Sequence, residues 1–268
     1  MSTGARATLA VAVLGGVAFP LAFAHMLAPA VASHSGAAPH LGAHLDLIPL
    51  SVLGAVSLLP LIGLGRGAVR WIVAERCLTA LTRQGLPQSS GGVRYVSVPG
   101  TQVALFTAGL RQPVIYATAG AEQTLDAGAL HAALLHERAH MSHHDVRWLA
   151  LVSLAEAAVG AFPGARRLFS SLRIEMEWRA DSAALAAGAR REDLFEAIVG
   201  AAGVAAGGAA LSGVGTAERL AWLAQPETPP LVSERQAAPV FAGLFGLPLL
   251  AHALIWTGIF CVACPHLG

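Results

Sequence analysis

Three long apolar runs divide this chain, at residues 7–31, 45–65 and 240–264, and each reaches the ~20 residues that cross a bilayer. Between the second and third lies a mixed block, 66–235, large enough for one domain. Its pattern predicts a helix over 69–83 and a Gly/Ser/Pro loop over 85–92. Short strands follow at 93–98, 103–106 and 114–116, separated by Gly and Pro. A helix is predicted over 125–140, with Thr124 or Asp126 as its cap. Two further runs are ambiguous. Residues 146–163 approach membrane length but contain Glu156, whereas 197–215 hold six glycines and few bulky side chains, which argues against a span.

Charge gives the runs a direction. Arg6 precedes the first, the 32–44 loop has no Arg, Arg66, Arg70 and Arg76 follow the second, and Arg235 precedes the third. The positive-inside rule then places the N-terminus and 66–235 in the cytoplasm and 32–44 outside. Composition points the same way. The 268 residues are 55% hydrophobic and only 12% charged, against roughly 25% charged in soluble domains, and mean hydropathy is +0.60. The expectation is therefore a mainly α integral membrane protein in the cell membrane. It has two spans within 1–65, a cytoplasmic domain at 66–235 and a third span within 236–268. Ala30-Val31-Ala32 resembles a signal-peptidase site, but the run before it exceeds a usual signal core, so an uncleaved anchor is expected. All 17 basic residues are Arg and form no stripe that would bind nucleic acid. Three cysteines are too few for a disulfide framework.

The chemistry concentrates at His136-Glu137-Arg138-Ala139-His140. On a helix, residues i and i+4 lie one above the other, so both imidazoles can bind one metal while Glu137 sits beside them as a general base. Two neutral imidazoles, an open water position and a carboxylate base are the parts of a zinc hydrolase. A third ligand is needed, and Glu177 and Asp181 share a face of the segment 175–181. Glu177 is assigned as the third zinc ligand. Asp181 is assigned to receive a ligand histidine's other N–H. An isolated Glu-x-x-x-Asp is more often a pair of solvated helix charges, and it is the histidine motif upstream that favours the metal reading.

These elements resemble a known family. The segments 106–110 and 112–115, the run 130–140, His143-His144-Asp145 and Glu177-Trp178-Arg179-Ala180-Asp181 are similar to the BlaR/MecR-type membrane metallopeptidases. These are gluzincins related to the HtpX-type proteases. The resemblance covers roughly 66–225. It implies an α+β metallopeptidase domain, zinc on His136, His140 and Glu177, Glu137 as general base, and a Glu-x-x-x-Asp element ending at Asp181. It also implies a protein substrate, a transcriptional repressor in the signalling members, or membrane quality control in the HtpX-type ones. No counterpart of the penicillin-binding sensor of the best-known members is expected in this sequence. Residues 215–220 lack the histidine common in HtpX-type relatives, which leaves the transition-state stabiliser unassigned.

The ligand set bears on topology. If 146–163 crossed a membrane once, Glu177 would lie on the opposite side from His140, so that run must be a core helix or lie against the membrane. Other candidates are weaker. His143 and His144 would close the site to water if they ligated, His252 lies in an apolar run, Cys261-x-x-Cys264 ends one, and His34, His40 and His44 share the outer loop. A strand near 103–106 could hold an extended substrate by edge pairing. A non-catalytic zinc-binding protein is the alternative from another class, and Glu137 argues against it.

Overall fold

The computed structural model describes residues 47–160, 165–205 and 215–225. Helix α1 (Leu47–Gln84) leads into β1 (Leu86–Ser90), β2 (Val93–Val98), β3 (Leu105–Ala108) and β4 (Val114–Thr118). Six helices follow: α2 (Ala119–Thr124), α3 (Ala127–Ser142), α4 (Asp145–Val159), α5 (Ala165–Ala186), α6 (Arg191–Ala205) and α7 (Thr216–Ala224). The sheet order is β1-β2-β4-β3, with β2 and β4 parallel and the outer pairings antiparallel.

The stretch 85–92 is not the loop its composition suggested. Gly91 and Gly92 both take positive φ, 55° and 79°, and make the two-residue turn of a β1–β2 hairpin. Turns of that length fit the strand twist when both central residues are left-handed, which favours glycine. Pro87 is tolerated because β1 is an edge strand. The predicted helix over 125–140 starts two residues later, because Asp126 rather than Thr124 is its cap: the Asp126 carboxylate accepts from Ala129 N at 2.7 Å.

Helix α3 is enclosed. From Ala132 to His140 every residue except Arg138 is buried. Leu134 and Leu135 pack on the sheet through Val93, Tyr95, Ile115 and Ala117. Ala132 meets Leu194 and Ile198 of α6 and Leu223 of α7. Alanine on that face lets neighbouring helices approach closely, so the metal-motif helix becomes the centre of the fold.

The chain divides into two compact units. Of the described residues, 69–152, 169–205 and 215–225 make the unit that contains the sheet, α3 and the residues discussed below. The second unit includes the first half of α1 and residues 153–168. In it Gly63 packs so closely on α4 that a Cβ would fall 1.9 Å from the Ala157 carbonyl oxygen.

The membrane expectation is corrected. Among the described residues no helix is long and apolar enough to cross a membrane. The runs at 7–31 and 240–264, the signal-like site, the 32–44 histidines, His252 and the Cys261-x-x-Cys264 pair all lie outside the described residues. The run at 45–65 does not end as a span would. It belongs to α1, which contains Pro60 and continues through Arg66, Arg70, Arg76 and Arg83. The run at 146–163 is largely α4, and its Val152, Ala155, Ala158 and Val159 are buried within the protein. What is described is a helical protein with a small four-stranded mixed sheet. The integral membrane class, the bilayer partner and the multi-pass, cytoplasm-facing localisation have no support in it.

Candidate metal centre

His136 and His140 stand one turn apart on α3, with their Nε2 atoms 3.0 Å from each other and their rings edge to face. Glu177 approaches from α5, its Oε2 3.4 Å from His136 Nε2 and its Oε1 3.7 Å from His140 Nε2. The three ligand atoms lie within 4.8 Å of one another and could hold a metal ion. Tetrahedral ligands at zinc distances are separated by about 3.3 Å, which these spacings bracket. The side chains of His136 and His140 are 8% and 9% exposed, but that of Glu177 is 23% exposed, so the centre opens towards solvent past Glu177.

Each outer imidazole nitrogen meets a carboxylate. His136 Nδ1 lies 2.7 Å from Asp181 Oδ1, and His140 Nδ1 lies 2.9 Å from Asp145 Oδ2. Such contacts fix the tautomer and leave Nε2 free as a ligand. Each carboxylate is in turn held by a guanidinium. Arg219 of α7 forks onto Asp181, Nε to Oδ2 at 2.8 Å and Nη2 to Oδ1 at 2.7 Å, while its Nη1 reaches Glu177 Oε2 at 2.9 Å. Arg179 Nη2 donates to Asp145 Oδ1. Glu137, also buried, has its Oε2 2.8 Å from the Thr107 hydroxyl on β3, and the same hydroxyl lies 2.9 Å from Glu137's carbonyl oxygen.

The charges fit a divalent cation. Four carboxylates (Glu137, Asp145, Glu177 and Asp181) face two guanidiniums (Arg179 and Arg219), so with neutral imidazoles the cluster carries two excess negative charges. Without a metal, protons take up part of that excess. Burial and the Arg219 charge push the His136 pKa down, but hydrogen bonds to Asp181 and Glu177 outweigh them and lift it to about 9. Burial favours protonated Glu177, yet the His136 hydrogen bond and the positive charges of His136 and Arg219 hold it near 2. Asp181 is lowered to about 2 against its own burial by contacts with His136 and Arg219. A divalent cation would replace the His136 proton with a better-matched charge.

The structure thus brings together His136, His140, Glu177, Glu137 and Asp181, the five residues singled out in the sequence. It adds Asp145, Arg179, Arg219 and Thr107. Asp145 stands five residues after His140, and in a continuous helix that offset points well round the axis from His140. Helix α3 ends at Ser142, His144 adopts φ 58°, and α4 begins at Asp145, which turns that carboxylate back towards His140. Arg219 lies in the stretch 215–220 that lacks the expected histidine, and nothing local marks it as a partner of residues some forty positions earlier. His143 caps α3 and is not among the metal-ligand group. No protein-family model, curated protein or solved structure matches the chain.

Proposed function

We propose that the protein is a zinc metalloendopeptidase of gluzincin type. The observation that carries this reading is Glu137, a buried carboxylate one residue from a ligand histidine, beside a three-ligand group that leaves a position open. A purely structural zinc site uses a closed set of four ligands and has no need of such a base. Zinc on His136, His140 and Glu177 would supply Lewis acidity towards a water molecule and the scissile carbonyl. Glu137 takes the proton from the attacking water and delivers it to the leaving amine. The Thr107 hydroxyl holds Glu137 at one oxygen and leaves the other for that transfer. Strand β3 is an edge strand, so an extended peptide can pair with its outer side next to Thr107. Cleavage of a regulatory protein such as a transcriptional repressor is the first substrate to examine, following the BlaR/MecR resemblance, with quality-control proteolysis as the alternative.

The test compares cells expressing wild type, Glu137→Gln and His136→Ala by quantitative proteomics of terminal peptides, with zinc content measured on each purified protein. Glu137→Gln should retain zinc and lose the new termini, and His136→Ala should lose both. Full cleavage by the Gln variant would sink the peptidase reading. Zinc binding with no wild-type cleavage product would favour the non-catalytic alternative.

A further inference from the structure

Arg219 of α7 reaches into the metal centre and touches two carboxylates at once. Its Nη1 donates to Glu177 Oε2, which also lies 3.4 Å from His136 Nε2, while Oε1 is the oxygen on the His140 side. Its Nε and Nη2 take both oxygens of Asp181, the carboxylate behind His136. Asp181 Oδ1 therefore accepts from Arg219 and His136 together, which accounts for the 3.5 Å approach of Arg219 Nη2 to His136 Nδ1.

We propose that Arg219 is a positioning residue that makes α7 part of the metal centre. By donating to Oε2 it draws on that oxygen's charge and favours coordination of Glu177 through Oε1, and by bracing Asp181 it fixes the ring of His136. This rests on His136, His140 and Glu177 binding a metal, and not on the peptidase chemistry. A carboxylate has room for both partners, since each oxygen offers two lone pairs. A guanidinium suits the task because its planar fork reaches two acceptors at set angles, whereas an ammonium is a single point of charge. A bidentate Glu177 would crowd the position that water needs, so an arginine that weakens Oε2 as a ligand helps to keep the centre open. Because the same contacts attach α7, metal binding and the docking of α7 should strengthen each other, as linkage requires.

The test uses the full chain with Zn2+ and with Co2+ as the spectroscopic probe. Arg219→Lys keeps the charge but loses the fork. It should weaken Zn2+ binding roughly 10- to 100-fold in chelator competition, as is typical when a partner of a ligand is lost. Its Co2+ complex should show a weaker visible d–d band, the mark of a higher coordination number. Affinity within twofold of wild type with an unchanged Co2+ band would overturn the proposal. A second measurement needs no variant: hydrogen exchange across α7 in wild type should slow on adding Zn2+, along with α3 and α5. Protection confined to α3 and α5, or faster exchange in α7, would mean that Arg219 is indifferent to the metal or competes with it, and would also overturn the proposal. Wild type that binds neither ion would remove the metal reading itself, which separates the two failures.

Discussion

The two flanks of the metal centre solve the same problem by different means. On the His140 side the supporting carboxylate is local: Asp145 comes five residues later, where α4 begins. Its guanidinium, Arg179, is 28% exposed and, among the described residues, its buried Nε has no hydrogen-bond partner. On the His136 side every support is distant in sequence. Asp181 is fully buried, as Asp145 is, but its guanidinium is buried too: Arg219, 10% exposed, forks onto it from α7 while also holding Glu177. An exposed ion pair exchanges its partner for water at little cost, whereas a buried one leaves an uncompensated charge when broken. Local construction has produced the looser flank, and tertiary construction the tighter one.

The largest break should come from Asp181→Ala, which strands the Arg219 guanidinium beside His136. Urea unfolding of the metal-free protein should show a loss of about 3–5 kcal/mol, with zinc affinity down by roughly 100-fold. Asp145→Ala should cost less, about 1–3 kcal/mol, because water can reach Arg179, and its zinc affinity should fall nearer tenfold. Equal losses on the two flanks would remove the distinction between them.

A smaller effect sharpens the comparison through pH. Zinc must displace the His136 proton, so apparent zinc affinity should rise roughly tenfold per pH unit and level off above about 9. Calorimetry in buffers of differing ionisation enthalpy should find about one proton released at neutral pH from this flank. For the metal-free protein the signs are opposite at the two ends. His136 has a raised folded pKa, so its contribution is complete below its unfolded value near 6.5 and fades as pH rises through about 9. Glu177 and Asp181 are depressed, so theirs is complete above the ordinary carboxylate range and fades as pH falls towards about 2. Urea midpoints measured between pH 6 and pH 10 should therefore fall across the upper window, and Asp181→Ala should flatten that fall.

What could be read from the chain follows helical periodicity. His136, Glu137 and His140 share a surface because 3.6 residues make a turn, and Glu177 and Asp181 share another for the same reason. The strand at 93–98 and the start of the one at 114–118, expected over 114–116, were legible as β-branched runs bounded by turn residues. The edge strand β1 was not, since its Leu-Pro-Gln-Ser-Ser pattern carries no β signal and exists only because the Gly91-Gly92 turn folds it onto β2. Hydropathy misjudged the setting because it adds up apolar side chains without knowing what they pack against. In α4 they pack inside the protein.

The sequence by itself determined that His136 and His140 could share a metal, because i and i+4 contacts depend only on the geometry of one helix, whereas the packing of α5 brings Glu177 to them. Tertiary structure decided how those atoms are held. The helix break at His144 turns Asp145 towards His140, and the docking of α7 brings Arg219 across from a stretch with no local signature. Contacts of that kind depend on the packing of separate helices, and their charges are worth most where that packing excludes water.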